Sequence, residues 1–500
     1  MSVIWNSSEP VPSSPALQEQ IYNALDCCVT LEVFEAINPL LNEITGATYE
    51  SSKAFMAPIL EMELRGVLVD PAAKAAIYQE TLKTHDRLQS NLSTILRDGL
   101  GIPSFNPGSW QQKSWLLYDV LGLPHVRKRG AITTDREALE KLSTYFQADT
   151  ICNHIIAIQE CRKKLGFLKT GVSSDGRMRT SYNIGGTDTG RLSSSASAWW
   201  DGTNLQNIAP EMRRMFIADP GHRLAYIDLE QAEARAVGAI IWNLFHDGKY
   251  LDFCESGDLH TNVVKMTWPE LPWTGNPQED KALAKQKFYR DFNYRDAAKR
   301  LGHASNYRGQ PPYISKVVRI PVGLVQDFQS NYFRSFPGIS QWHGWVRNKL
   351  LRDGWITTFM GRQRWFFGRR WEDETVRSAV AYEPQSAIAD YLNRGMLNVW
   401  KRLGSRVSLL MQVHDAILIQ YPEEIENEII PQVQKLLEIE IPLFHGRSLI
   451  VPTEAQVGWN WGYPYNNKKE LINPDGLVTF TGDDRRIRSA TASFLDRKFY

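Results

Sequence analysis

Long apolar runs, abundant cysteine and an excess of one charge are all missing from this sequence, and each absence removes a class of protein. No stretch of about 18 apolar residues occurs, so no segment is expected to span a membrane and no membrane partner is expected. The start, "MSVIWNSSEPVPSSP", has no basic region followed by an apolar core and does not read as a secretory signal. Five cysteines (Cys27, Cys28, Cys152, Cys161, Cys254) in 500 residues are too few for a disulfide framework and lack metal-ligand spacing. Free thiols in a reducing compartment, the cytoplasm, are the expectation. Lys and Arg number 57 against 56 Asp and Glu, so bulk charge announces no polyanion partner, although a local basic surface stays open.

What is present describes a globular chain of two to four domains, with 43% hydrophobic and 23% charged residues. Over residues 16–41, Ile21, Leu25, Val29, Phe34 and Ile37 recur at helical spacing, as one long helix or two short ones. Residues 51–170 are mostly helical in pattern, interrupted by "RGVLVD" and "GIPSFNPGSW". Gly, Thr and Ser clusters then lead to "HRLAYIDL", a strand that ends in an acid. Helical patterns return from 232 to about 352, strands follow after 405, and the last 35 or so residues, with "TGDDRRIRSATASF", read as a polar tail. This order suggests one α/β platform interrupted by a helical insertion.

The stretch "LLMQVHDAILIQY", residues 409–421, alternates apolar positions on both sides of His414 and Asp415, which predicts two strands with the His-Asp pair at a hairpin turn. Asp415 then either satisfies its own turn backbone or reaches water, a partner or a metal. Asp228, at the end of "LAYIDL", is likewise either the cap of the helix that begins near Glu230 or a second such carboxylate. Two acids at edges of β structure can share a pair of divalent ions, the arrangement that serves phosphoryl transfer, and Mg²⁺ suits few carboxylates plus substrate oxygens. In "YRDAAKRLGHASNYRGQ", Arg295, Lys299, His303 and Tyr307 recur every four residues and so share one helix face. Arg and Lys can grip a triphosphate, while rings further along can stack on a base.

In order and spacing, Asp228 in "DLEQAEAR", the stripe in "RDAAKRLGHASNY" and Asp415 in "QVHDA" resemble the three polymerase motifs of the DNA polymerase I family (family A), especially its phage members. "TGRLSSS" and "NLQNIAP" resemble that family's template-primer segments, "FMGRQRWF", "RSAVAYEPQSAIAD" and "VGWNW" continue the match, and "LEMELRGVLVD" with "FNPGSWQQ" resembles its thumb. The resemblance implies an α/β right-hand polymerase fold with an antiparallel-sheet palm, helical fingers and a helical thumb. It places an exonuclease-domain remnant at 1–50, the thumb at 51–175, the palm at 176–231 and 353–465, the fingers at 232–352 and a C-terminal extension at 466–500.

By the same resemblance, Asp228, Asp415 and the carbonyl of Leu229 would hold two Mg²⁺ ions, with Mn²⁺ as a substitute. Arg295 and Lys299 would grip the incoming dNTP, with Lys299 as proton donor to pyrophosphate. Glu233 would exclude a 2′-hydroxyl, and Tyr307 would cap the templating position. Arg191, Asn204, Gln206, Asn207, Arg377, Gln385 and His414 would touch primer-template DNA. Three departures stand out: Ala416 where a glutamate commonly follows His-Asp, His303 where Phe or Tyr is usual, and Arg308 where a glycine is usual. An RNA polymerase with the same two-acid logic is disfavoured by Glu233 and "TGRLSSS". Finally, Tyr22 and Asp26 in "YNALDCCVT" resemble the last Tyr-x-x-x-Asp motif of the family's 3′-5′ exonuclease, although a plain amphipathic helix fits those residues equally well. The acids that should precede the motif have no room in 21 residues, so no proofreading in cis is expected, and a separate polypeptide would have to supply them.

Overall fold

A computed structural model describes residues 13–482 except Ala198, Asp291 and Asn467. The Pro/Ser-rich start and the basic part of the expected tail lie outside the described residues. Two compact units result, one of residues 57–232, 392–441 and 450–482, the other of 13–56, 233–391 and 442–449.

The first unit is built on a five-stranded antiparallel sheet. Its strands are β1 (His222–Leu229), β2 (Ser408–Val413), β3 (Ala416–Pro422), β4 (Thr453–Gly458) and β5 (Val478–Thr479), in the order β2-β3-β1-β4-β5. The His-Asp pair forms the two-residue connection between β2 and β3, as the alternation predicts. Both faces are nevertheless covered, since every residue from Leu409 to Val413 and from Ala416 to Tyr421 is buried. At the far end of β1 from Asp228, Arg223 donates to Glu426 at 2.9 Å and lies 4.3 Å over the Trp459 ring, while Tyr421 donates to the other Glu426 oxygen at 2.7 Å. The charges there are buried but paired, which is what burial of a charge requires.

After residue 465 the chain does not run off as a polar tail. Asn460 and Asn473 exchange amide hydrogen bonds of 2.8 Å, Leu477 is buried, and β5 pairs along β4 through Val457↔Val478. A two-residue edge strand is too short to show a period, so the sequence pattern could not reveal it. The helical part of this unit pairs Pro71–Leu100 with Phe146–Leu168. Asp70 caps the first of these by accepting from Ala72 and Ala73, and Gly101, at φ 66°, closes it. Leu92, Leu96, Ile151, Cys152, Ile155 and Ile158 fill the core between them.

The second unit is mostly helical, with Leu301, Phe328, Tyr332, Trp342 and Val380 in its core. A small hairpin, Lys287–Tyr289 against Phe292–Asn293, interrupts the helical run expected from 232 to about 352. Packing explains it, because Phe288 lies 5.0 Å from the Trp268 ring and 4.8 Å from Tyr294. Residues 16–41 form a single helix, Pro15–Ile37, followed by a short 3₁₀ turn, Asn38–Leu40. None of the helix's residues is buried. Cys27 and Cys28 on it are exposed, whereas Cys152, Cys161 and Cys254 are buried.

Within the Asp373–Leu403 helix, Glu383 is buried and accepts a 2.9 Å hydrogen bond from the Trp342 indole. Burial pushes its carboxyl up to about 7, and the indole bond only partly offsets this. A carboxyl raised in the folded state binds its proton there before the unfolded chain does, so its contribution is present at low pH and is lost as pH rises towards 7. Glu383→Gln keeps an acceptor for Trp342 without the titration. We expect thermal unfolding to show the variant more stable than the parent at pH 8, by roughly 3 kcal/mol, with the difference nearly gone near pH 4.5.

Candidate active site

β1 is the central strand of its sheet, and its pairing sets the position of Asp228. Asp228 lies opposite Ala416 on one side and Glu454 on the other. Directly opposed residues share a sheet face, so Asp228 stands one residue from Asp415 across the ladder. The Leu229 N–H also donates to the Asp415 carbonyl at 3.2 Å, which ties the end of β1 to the hairpin tip. Asp228 belongs to the strand, and the following helix begins only at Ala232 after a turn with Gln231 at φ 54°. It is therefore not that helix's cap, and the helix starts two residues later than Glu230.

His414, at the hairpin tip, takes φ 56°, a left-handed conformation that costs a non-glycine residue energy and marks a constrained turn. Gln412 holds the turn from below: its side chain donates to the His414 carbonyl and accepts from Gln206 at 2.8 Å. Arg191 reaches Asp415 at 3.5 Å. Asn204 is tied to Ser194, and Asn207 lines a cleft of about 600 Å³ with Lys163, Lys164 and Thr203. Thus Asp228, Leu229, Asp415, His414, Arg191 and Gln206 are brought together around one turn. Sequence reasoning missed Gln412 and Glu454. Gln412 was hidden in an apolar run, and only strand register could point to Glu454.

The donor set at this turn fits a hard cation. Two carboxylates and the Leu229 carbonyl offer oxygen only, the chemistry Mg²⁺ prefers. Among the described residues, no group of three or more His, Cys, Asp or Glu side chains is arranged to hold an ion by itself. Such a site would leave coordination to substrate oxygens and water.

The second unit carries the helix Tyr294–Asn306. Asn293 caps it by accepting from the Asp296 N–H at 2.7 Å. Its Ala297, Ala298, Leu301, Gly302 and Ser305 are buried, which leaves Arg295, Lys299 and His303 on another face, as the four-residue spacing predicts. Arg295 makes a two-point contact with Asp258, 2.9 and 3.0 Å. Burial pushes the Asp258 carboxyl up, but Arg295 and Thr261 outweigh it and hold it at about 2. His260, two residues on, was not singled out from sequence. Burial, then the charges of Arg295 and Lys299, pull its imidazole down to about 4, so it is neutral at pH 7.

At the end of this helix the Tyr307 hydroxyl donates to Glu233, and the His303 ring lies 3.9 Å from Glu233 and 4.8 Å from the Tyr307 ring. The structure thus joins the three residues that sequence reading assigned to sugar and base. Arg308 takes the left-handed turn, φ 58°, that a glycine would take without strain. Arg308 and Arg377 both pair with Asp373, at 3.1 and 3.4 Å, and Gln385 is half-buried. Tyr22 and Asp26 lie on the exposed Pro15–Ile37 helix.

A solved structure described as the POL domain of Pol1 from M. smegmatis in complex with DNA primer-template and dNTP matches with a TM-score of 0.65 at 24% identity. The match covers 82% of this chain and 69% of that one. The fold is accordingly the right-hand polymerase fold, with an antiparallel-sheet palm, helical fingers and a helical thumb. The family model described as DNA polymerase family A matches residues 75–463, and the chain belongs to that family. Among curated relatives, a thermostable DNA polymerase I of Thermus aquaticus is 29% identical over 432 residues, 82% of this chain and 47% of its own length. A DNA polymerase I of Chloroflexus aurantiacus is 27% identical, over 89% of this chain and 47% of its own length. The chain spans about half the length of the curated relatives it matches.

Proposed function

We propose that this chain is a DNA-directed DNA polymerase of the phage replication type, which adds deoxynucleotides to a primer 3′ end on a DNA template and releases pyrophosphate. The observation that carries this reading is the register that sets Asp228 against Ala416, beside Asp415, in a member of family A. In this reading residues 51–175 are the thumb, 176–231 and 353–465 the palm, 232–352 the fingers and 466–500 an extension, and the chain works in the cytoplasm of a bacterial host. No helix among the described residues is long and apolar enough to cross a membrane.

Asp228, Asp415 and the Leu229 carbonyl would hold two Mg²⁺ ions, or Mn²⁺ in their place. Bound there, the ions would lower the pKa of the primer hydroxyl and offset charge on the leaving oxygen. Arg191, beside Asp415, and His414 orient the primer end. Arg295, already forked onto Asp258, offers its remaining donors to triphosphate oxygens, and Lys299 holds a proton at Nζ for the departing pyrophosphate. Glu233, braced by Tyr307, fills the space a 2′-hydroxyl would need. Asn204, Gln206, Asn207, Arg377 and Gln385 contact primer and template. The Pro15–Ile37 helix, with Leu25, Val29 and Ile37 about half exposed, would dock a separate polypeptide whose acids complete a proofreading site with Tyr22 and Asp26.

Three outcomes test this reading. Asp228→Ala or Asp415→Ala should cut primer extension by orders of magnitude while primer-template binding stays near parental, because phosphate contacts dominate affinity. More than about a tenth of the parental rate in either variant, roughly a 1.4 kcal/mol loss, would remove the metal assignment. Glu233→Ala should raise ribonucleotide use relative to deoxynucleotide, read as the ratio of the two kcat/KM values, and an unmoved ratio would refute the gate. The highly purified chain alone should show no 3′-5′ exonuclease activity. Activity should appear with the partner and vanish with Asp26→Ala while polymerisation persists; cleavage by the chain alone, or proofreading indifferent to Asp26→Ala, would refute docking in trans.

A further inference from the structure

Between the two segments assigned above to DNA contact, residues 199–203 form a loop that carries two adjacent tryptophans, Trp199 and Trp200. The loop is stapled at its flanks. The Ser194 hydroxyl donates to the Asn204 side-chain oxygen at 2.7 Å, and the Asn204 amide donates back to the Ser194 carbonyl at 2.7 Å. Its return arm is pinned to the body of the unit, because Arg179 N–H donates to the Asp201 carbonyl at 3.1 Å and Gly202 bridges to Arg179. A Cβ at Gly202 would fall 1.8 Å from the Arg179 carbonyl oxygen, so only glycine allows this approach. Trp200 lies beneath the Arg179 guanidinium, 5.7 Å from Cζ to ring centre.

Trp199 has no such cover. It is 83% exposed on a loop whose flanks and return arm are held in place. An indole of that size left in water forgoes the favourable free energy of burial. The foot of the loop, Thr203 and Asn204, lines the 600 Å³ cleft that also contains Lys163, Asn207, Glu160 and the ion pair of Lys164 with Glu211. An exposed lysine, Lys163, and the amides of Asn204 and Asn207 at the foot of a loop that carries an exposed ring are groups a nucleic-acid strand can use: the polar groups take phosphates and the ring takes a base or sugar.

We propose that Trp199 is a DNA-contacting residue, its indole packing on a base or deoxyribose of the primer-template held along the Lys163–Asn207 cleft. The inference rests on the polymerase reading and adds to it a contact that tolerates any sequence, since every base presents a face to stack on.

Titration of a fluorescently labelled primer-template with the full chain, its Trp199→Ala variant and its Trp199→Phe variant, across a salt series, tests it. The alanine variant should melt like the parent, since the ring is exposed, yet raise the Kd about tenfold, and the phenylalanine variant should recover most of the loss. The slope of log K against log salt should be the same for all three, because an indole neutralises no phosphate. If the parent binds and extends the primer while Trp199→Ala binds within about twofold of it, the proposal falls, the ring is left to a protein partner and the polymerase reading stands. A changed salt slope in the alanine variant overturns it as well. If the parent neither binds nor extends, the polymerase reading fails and takes this proposal with it.

Discussion

One backbone hydrogen bond, from the Leu229 N–H to the Asp415 carbonyl, holds the two acids of the sheet in a fixed relation. It closes a ladder in which β1 is bonded on both sides, through Ala416↔Asp228 and Glu454↔Asp228. Side chains alternate along a strand, so a slip of one residue would send Asp228 to the opposite face and leave Asp415 alone at the turn. Burial on both faces of β2 and β3 makes such a slip costly. The apolar sheet and its two acids, Asp228 exposed and Asp415 half-buried, are parts of one device, in which the core fixes the register and the register places the charge.

The second unit solves a different problem, keeping cations together on one face of a helix. Arg295 and Lys299 would repel each other if nothing answered them. Asp258 supplies the answer for Arg295 while it also caps the Leu259–Thr267 helix. His260 stays neutral and adds no further positive charge to the cluster. Small residues, Ala297, Ala298 and Gly302, form the buried side, so the helix can sit close to its neighbours while the long side chains point elsewhere.

Much of this was legible because periodicity carries it. Alternation about His414 and Asp415 marked the hairpin, and the four-residue recurrence from Arg295 to Tyr307 marked the helix stripe. Other features depend on contacts between residues far apart in sequence. Gln412 braces the turn through Gln206, more than 200 residues earlier, and nothing near either residue signals it. Glu454 stands beside Asp228 only because β4 pairs with β1. The edge strand Val478–Thr479 is set by Asn460 and Asn473, amides whose pairing no spacing rule anticipates. Similarly, Asp258 was invisible from sequence because its importance comes from Arg295, 37 positions away.

The cysteines divide the molecule chemically in a way that has nothing to do with catalysis. Burial pushes the Cys152 and Cys254 thiols up to about 12 and raises that of Cys161, so at neutral pH these are almost wholly protonated and shielded from reagents. Cys27 and Cys28 are exposed on the amino-terminal helix. A maleimide dye or spin label added to the native protein therefore goes to that helix alone, without any cysteine having to be removed. The chain carries a reporter position on its Pro15–Ile37 helix, remote in sequence from both acids of the sheet.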